Sequence, residues 1–189
     1  MLPANRWAFK EWAAICDALA AGRQSLILRK GGLHEGREGF RVDHPEFWLY
    51  PTNFHQRPEQ LTAAEAAHWQ AATCESPPAG TIALSLYAVV ERVQHLTDAG
   101  QLNSLTGRHG WSEQTVDERF HYRQPGLFAL VVRVYRRPEP WRLVESPRFA
   151  GCRSWVDLGR DLPTDGCRPV LSDAEHRERM TDWPQLPAK

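Results

Sequence analysis

The sequence predicts an α+β fold: a small mixed or antiparallel sheet that curls into an open barrel and carries peripheral helices. The candidate strands mostly follow one another directly, without the long crossover helices of a doubly wound parallel sheet. The candidate helices are few, and we expect them on the rim of the barrel. For a chain of 189 residues, we expect one domain over residues 1–160. A polar, proline-containing extension with a short helix is expected over residues 161–189.

The predicted helices show apolar residues at spacings of three and four next to capping side chains. The first is capped by Asn5 and ends before Gly22, at the position where a left-handed residue ends helices. Thr62 with Glu65 forms a capping box, and Ser112 is a third cap. The helices are predicted over residues 5–21, 61–73, 97–105 (a helix or a turn), 112–120 and 172–180.

The predicted strands are short runs of aliphatic and aromatic residues separated by turn residues. Pro51 ends one of them. Pro138 and Pro140 divide another, because proline cannot donate to a sheet ladder, and residues 141–144 are therefore expected to form a separate edge strand. The strands are predicted over residues 25–29, 40–42, 46–50, 81–93 (the longest), 127–135, 141–144 and 154–158.

Composition narrows the function classes. Lysine plus arginine and aspartate plus glutamate number 23 each, so net charge supplies no general attraction to nucleic acid or to an anionic membrane. Attraction of that kind has to come from local clusters. The longest apolar stretch is far shorter than the ~20 residues that cross a bilayer. With no signal-like N-terminus and no CxxC pair, we expect a cytoplasmic protein without membrane contact, cofactor or metal.

Three segments near the N-terminus carry a resemblance to a known family. They are Lys10-Glu11-Trp12, Leu28-Arg29-Lys30-Gly31-Gly32 and Phe47-Trp48-Leu49-Tyr50-Pro51-Thr52, the last followed by Phe54-His55-Gln56. In this order they resemble the bacterial domain of unknown function 1802 (DUF1802), and the likeness covers residues 7–158. The family name implies no activity. A link between the family and Mrr-like restriction nuclease domains implies a role that faces DNA.

A fainter resemblance is to the ASCH and EVE branch of PUA-like barrels, and it implies a PUA-like sheet. In those proteins a helix ends at a glycine, and a strand follows with the pattern Gly-x-Lys-x-x-Glu-x-Arg. Gly22 and Arg29 stand at the matching spacing, whereas Gln24 and Ile27 replace the lysine and the glutamate. The resemblance therefore implies the fold, and the two departures argue against ASCH-type amidohydrolase or nuclease chemistry.

The turn after the first predicted strand is a candidate phosphate site. Arg29 and Lys30 stand next to Gly31, and a glycine-rich backbone beside two cations can hold an anion. The P-loop pattern GxxxxGK[ST] is absent, which argues against nucleotide hydrolysis. A plain hairpin flanked by solvated charges explains the same residues.

The loop after the third predicted strand is the preferred base-reading element. Thr52, His55 and Gln56 lie on it, and glutamine and histidine offer both hydrogen-bond donors and acceptors to a base edge. Further along, Arg133, Arg136 and Arg137 belong to an arginine-rich stretch with interleaved aromatic residues, and we expect them to contact phosphate. Alternatively, the acidic residues that flank this stretch pair with its arginines.

Enzymatic interpretations rest on a few titratable residues. His44 and His55 with His34 or Asp43 can be considered as metal ligands, but their spacing matches no compact ligand motif. None of the three lysines stands two residues after an acid, which argues against the common restriction-type nuclease motif. No catalytic residue is assigned, and the candidates for proton transfer are Lys30, Glu35, His44 and His55.

The residues therefore favour a nucleic-acid-binding module that reads a modified base and is accessory to restriction or repair. Its expected partners are DNA or RNA and a restriction-type nuclease subunit. Two alternatives stay open: a hydrolase of a small nucleobase-like or acyl substrate, and a protein-interaction subunit. A deep pocket lined by Lys30, His44 and His55 would favour the hydrolase. A broad arginine face beside a shallow pocket would favour nucleic acid, and a flat apolar patch a partner protein.

Overall fold

A computed structural model describes residues 1–30, 42–53, 56–72, 78–151, 153–181 and 183–184. The strands found there are β1 (Ala4–Trp12), β2 (Leu26–Arg29), β3 (Glu46–Thr52), β4 (Thr81–Leu96), β5 (Leu127–Val144), β6 (Trp155–Pro163) and β7 (Arg168–Pro169). The α-helices in the same ranges are α1 (Ala13–Ala20), α2 (Ala63–Ala72), α3 (Gly100–Asn103), α4 (Glu113–His121) and α5 (Asp173–Thr181). The predicted strand over 40–42 lies almost entirely outside these ranges.

All seven of these strands belong to one mixed sheet. Its order is β2-β5-β4-β3-β1-β6, and β7 pairs with β5 beyond the end of β2. β1 and β3 run parallel, and the other pairs are antiparallel. The sheet is open, with β2 and β6 at its two ends. The predicted class, an α+β protein with a mixed open sheet and peripheral helices, is confirmed.

The two faces of the sheet bury separate apolar clusters. The larger cluster includes Ile15 and Leu19 from α1 and Phe120 from α4. The smaller one consists mainly of strand side chains, among them Trp48 and Tyr87, whose rings pack edge to face at 5.0 Å. Burial of each such ring contributes about 1.5–3 kcal/mol.

The first predicted helix is wrong over its N-terminal half. Residues Ala4–Trp12 form β1, and the helix begins only at Ala13. β1 lies inside the sheet, between β3 and β6, and both of its faces are covered: Phe9 packs in the larger cluster and Ala8 in the smaller. A strand buried on both faces shows no alternation of apolar and polar residues, so its apolar residues could not be told apart from those of the helix that follows it. Asn5 is buried in the strand.

The prolines of β5 do not divide the strand, so the prediction of a separate strand over residues 141–144 is wrong. The strand is continuous over Leu127–Val144 and is longer than β4, which had been expected to be the longest. On β4, Leu84 pairs with Trp141 and Leu86 with Arg136, so three additional residues of β5 are accommodated in an irregularity. Pro138 and Pro140 fall there, where no ladder hydrogen bond is required, and the strand passes through them. Pro51 likewise lies within β3 instead of ending it.

The predicted caps are largely confirmed. Gly22 has φ +66° after α1, and the Ser112 side chain accepts from the Thr115 backbone N–H at the start of α4. The Thr62 hydroxyl accepts from the backbone N–H of Glu65 at 3.3 Å. The expected capping box is incomplete in one respect, because the Glu65 carboxylate binds Arg23 through two hydrogen bonds of 2.8 and 2.9 Å.

The C-terminal residues contact the sheet. A capping box between Ser172 and Glu175 starts α5, within one residue of the predicted helix. Trp183 is 4% exposed and belongs to the larger cluster, and His176 of α5 bonds to Glu91 of β4 at 2.8 Å. The proposed division of the chain after residue 160 falls inside β6 and stays a prediction. Across the described ranges, no helix has the length and apolarity to cross a membrane.

Candidate functional site

A cleft of about 500 Å³ opens where the ends of β1 and β3 meet the chain that follows β5. In the parallel register Lys10 lies opposite Tyr50 and Trp12 opposite Thr52. This register brings the four residues to the same end of the sheet, where both strands finish. The cleft is lined by Lys10, Trp12, Arg29, Tyr50, Thr52, Glu145, Phe149, Ala150, Gly151, Arg153 and Ser154.

Three cationic side chains converge on this cleft. The Lys10 ammonium donates to the Gly151 carbonyl at 2.8 Å and lies 5.7 Å from the centre of the Tyr50 ring. Arg29, the last residue of β2, donates from Nη2 to the Lys10 carbonyl. Its Nε is buried without a hydrogen-bond partner in the described part of the chain. Arg153 is exposed, and no ion pair of the described residues includes it. The described lining of the cleft therefore carries a local excess of positive charge.

The aromatic side chains of the cleft differ in exposure. Tyr50 and Phe149 are buried and pack edge to face at 6.2 Å. Trp12 is only partly buried, and its inner side rests on Trp111 at 4.5 Å. Burial and the neighbouring carboxylate of Glu145 raise the pKa of Tyr50 to about 12, so its hydroxyl remains a hydrogen-bond donor at neutral pH. That hydroxyl donates to Glu145 Oε1 at 3.5 Å.

Two charged side chains, those of Arg119 and Glu11, contact Trp12. The Arg119 guanidinium lies 3.7 Å from the Trp111 ring centre and 5.1 Å from that of Trp12. Burial lowers the pKa of Arg119 to about 10, which still leaves it charged at neutral pH. Glu11 is 1% exposed; its Oε1 accepts from the Trp12 backbone N–H at 2.7 Å, and its Oε2 has no partner within the described ranges. This packing holds the Trp12 ring in one orientation.

Of the predicted site residues, the structure brings Arg29 and Thr52 together in the cleft. Lys30 points elsewhere: its ammonium donates to the carbonyls of Phe120 and Gly126, both at 2.8 Å, and to that of Gln124. These carbonyls surround the end of α4, so Lys30 holds the helix terminus. Burial lowers the pKa of Lys30.

The remaining loop residues have separate surroundings. The Gln56 side-chain oxygen accepts from the Ala14 backbone N–H at 3.1 Å, at the start of α1. His44 stacks on Trp7 at 4.0 Å and meets Trp155 at 5.0 Å, and burial lowers its pKa. Gly31, His34, Glu35 and His55 lie outside the described residues. In the part of the chain that the structure describes, no three or more His, Cys, Asp or Glu side chains are grouped so as to hold a metal.

The predicted phosphate-contacting arginines lie on β5, away from the cleft lining. Arg133 pairs with Asp173, and Arg137 donates to the Asp165 carbonyl with the Asp165 carboxylate at 3.8 Å. Arg136 is exposed, opposite Arg168 of β7. The acidic alternative weighed from the sequence thus describes Arg137, whose partner Asp165 flanks the arginine-rich stretch, whereas the partner of Arg133 comes from α5. Phosphate contact by any of the three stays a prediction.

A second cleft, of about 380 Å³, lies between α3 and α4. Its lining includes Glu113 and Asp117, together with His109, and neither lysine nor arginine among its described residues. Burial lowers the pKa of His109, which keeps that ring neutral at neutral pH. This cleft therefore repels anions. The two clefts differ in the sign of the charge on their described lining residues.

Sequence reasoning missed Lys10, Trp12, Glu145 and Arg153 as site residues. Trp12 had the periodicity of a core helix, and Arg153 was one arginine in a long stretch. A signal was nevertheless present, because three of the segments that carry the family resemblance end at this cleft: residues 10–12 on β1, Arg29 on β2, and residues 50–52 on β3.

Comparison with known proteins confirms the resemblance to DUF1802. A family model described as "Domain of unknown function (DUF1802)" matches residues 8–182. Among solved structures, the ASCH protein from Zymomonas mobilis has a TM-score of 0.43 at 16% identity, covering 93% of each chain. A point mutant of the same protein has a TM-score of 0.45 at 16% identity, covering 93% of this chain and 96% of that one. No curated protein matches the chain.

Proposed function

The chain belongs to the DUF1802 family, and we propose that it binds nucleic acid by taking one nucleotide into the cleft between β1, β3 and the segment after β5. The observation that carries the proposal is the convergence of Lys10, Arg29 and Arg153 with the partly exposed ring of Trp12 in one cleft. A nucleotide joins a planar base to an anion, and a site for it needs a stacking surface next to cations.

The cleft has a suitable size and charge for such a ligand. Its volume of about 500 Å³ falls within the range of about 300–1,000 Å³ that is typical of small-molecule sites. The Arg29 guanidinium has donors beyond the Nη2 that binds Lys10, and Arg153 is exposed at the mouth. Arginine suits this role because its planar fork can bind a phosphate through two hydrogen bonds.

The base would stack on Trp12. Tyr50 and Phe149 are buried and serve as the floor, whereas Trp12 retains exposed surface and is backed by Trp111 and Arg119. Stacking of a base on an aromatic side chain contributes about 1–3 kcal/mol. A base reaches such a site only when it leaves its stack, so we expect single strands to bind more tightly than duplexes.

Several finer roles belong to the same proposal. Thr52 offers a hydroxyl beside the base, and Arg133, Arg136 and Arg137 would add phosphate contacts once the chain of the ligand extends beyond the cleft. The resemblance to DUF1802, with its link to restriction nuclease domains, supports an accessory role in restriction or repair and a base that carries a modification.

The test is the affinity for a fluorescent single-stranded DNA of about twelve nucleotides, measured by anisotropy across a salt series. The RNA of the same sequence and the DNA duplex serve as comparisons. Three phosphate contacts on a single strand predict a slope of about −2 in log affinity against log salt. Arg153→Ala is expected to bind about tenfold more weakly, with a slope nearer −1.4.

The matched control is Arg92→Ala, an exposed arginine on β4 outside the cleft lining. It should keep the wild-type affinity and slope. Absence of binding at low salt, or equal losses in the two variants, would contradict the proposal.

A further inference from the structure

Glu145 is the one acid in the described lining of a cleft that otherwise gathers cations. It follows β5 directly, and its backbone N–H donates to the Gly80 carbonyl at 2.8 Å, which fixes the position of its main chain. A site meant for phosphate alone would be weakened by a carboxylate, since like charges repel. The presence of Glu145 therefore calls for a ligand group other than phosphate.

The carboxylate of Glu145 retains most of its acceptor capacity. Its hydrogen bond with the Tyr50 hydroxyl is long, at 3.5 Å, and uses Oε1. Although Lys10, Arg29 and Arg153 line the same cleft, no ion pair within the described ranges joins any of them to Glu145. An ionised carboxylate has about four acceptor positions. Glu145 thus offers open acceptor positions in the cleft.

Tyr50 positions this acceptor relative to the floor of the cleft. Its ring is buried, 4% exposed, and packs against Phe149, so the hydroxyl can move little. Oε1 accepts from that hydroxyl, and no hydrogen bond among the described residues uses Oε2. Two carboxylate oxygens side by side match two parallel N–H donors, as in other bidentate pairs.

We propose that Glu145 makes the cleft select a nucleobase that presents amino and ring N–H donors on its Watson–Crick edge, with guanine preferred. This inference rests on the proposed function. Guanine presents N1–H and the N2 amino group side by side, which matches both oxygens of a carboxylate. Cytosine and adenine present one amino group each, and a carboxylate accepts from it singly. Thymine and uracil flank their single N–H with two carbonyl oxygens, which a carboxylate repels.

The experiment uses a fluorescent oligothymidine of about nine nucleotides and three versions with one central dG, dC or dA. Anisotropy is measured with the wild-type protein, with Glu145→Gln, and with Glu139→Gln as a matched control. Glu139 is an exposed acid on β5, six residues before Glu145 in the sequence, and it does not line the cleft. Glutamine keeps the size of the side chain and a carbonyl oxygen for Tyr50, and it removes the charge and one acceptor.

The wild type is expected to bind the dG oligonucleotide at least about tenfold more tightly than oligothymidine, as a bidentate base contact contributes about 1–3 kcal/mol of discrimination. In Glu145→Gln this ratio falls below about threefold, both because binding to dG weakens and because binding to oligothymidine improves. Glu139→Gln keeps the wild-type ratio.

Three results would overturn the inference. If the wild type binds all four oligonucleotides equally, or if Glu145→Gln keeps the preference for dG, base selection by Glu145 is wrong while nucleic-acid binding stands. If the wild type binds none of them at low salt, the proposed function and this inference both fail.

Discussion

Both the cleft and the arginine stretch of β5 contain arginines, but the two regions differ in whether acidic side chains pair with those arginines. On β5, Arg133 and Arg137 are paired with Asp173 and Asp165 of the C-terminal residues. In the cleft, the Arg29 guanidinium donates to the main-chain carbonyl of Lys10 and lies over the Phe9 ring, and neither Arg29 nor Arg153 takes part in an ion pair of the described chain. The number of arginines in a segment is therefore a poor guide to a phosphate site. What matters is whether acidic side chains of the same chain already neutralise them.

The pairing of Arg133 and Arg137 depends on how firmly the C-terminal residues are anchored next to β5. Trp183 packs in the larger cluster, and its indole N–H donates to Gln94 at 3.4 Å. We expect Trp183→Ala to lower the free energy of unfolding by about 3–5 kcal/mol, because it leaves a cavity in a buried cluster. Urea unfolding followed by circular dichroism measures the effect.

Tyr122→Ala is the control for that experiment, because Tyr122 is 56% exposed. It should change the free energy of unfolding by less than about 1 kcal/mol. Similar effects of the two substitutions would mean that the C-terminal residues are not anchored by Trp183.

A second prediction concerns the polar floor of the cleft. Burial and Glu145 raise the pKa of Tyr50 to about 12, above its ordinary value of 10.0. The stability that this group contributes is thus fully present below pH 10 and is lost as the pH rises from 10 to 12. Between about pH 9 and pH 11, the wild type should lose on the order of 1 kcal/mol more than Tyr50→Phe, measured by urea unfolding.

Tyr122→Phe provides the reference here, since it removes a hydroxyl from an exposed ring. It should lose as much stability as the wild type over the same pH interval. If Tyr50→Phe does so too, the Tyr50 hydroxyl does not share the buried environment of the cleft floor.

The smallest expected effect tests the pairing on β5 directly. Asp165→Asn combined with Asp173→Asn releases Arg133 and Arg137 from their carboxylates without removing the arginines. Both aspartates are mostly exposed, so the pairs are weak, and we expect the affinity for single-stranded DNA at low salt to rise about two- to threefold.

Glu59→Gln combined with Glu178→Gln changes the net charge equally at two exposed positions away from these pairs. Its effect on DNA affinity should be smaller. An equal rise in both double variants would show that only net charge matters, and that the β5 arginines make no specific contact.

Much of the fold could be predicted because its signals are local. Gly22 ends α1, Ser112 begins α4, and the apolar run at β2 reads as a strand, since each pattern lies within a few residues of the structure it determines. β1 was mistaken for a helix because burial on both faces removes the alternation that identifies strands. β5 was divided because an irregularity that accommodates proline depends on the partner strand.

Only part of the candidate site could be predicted from the sequence, for a related reason. Arg29 and Thr52 were predicted from their own neighbourhoods, and both line the cleft. Lys30 belongs to the same turn by sequence, yet it donates to the carbonyl of Gly126, 96 residues away.

The sequence by itself thus determined the class of fold, the helix caps and the segments that define the family. Only the tertiary structure decided which charges meet. Lys10 and Trp12 join Glu145 and Arg153 through the pairing of β1 with β3 and the path of the chain after β5. The physical reason is that side-chain spacing encodes local conformation, whereas the neighbour of a charged group is set by strand pairing between segments far apart in the chain.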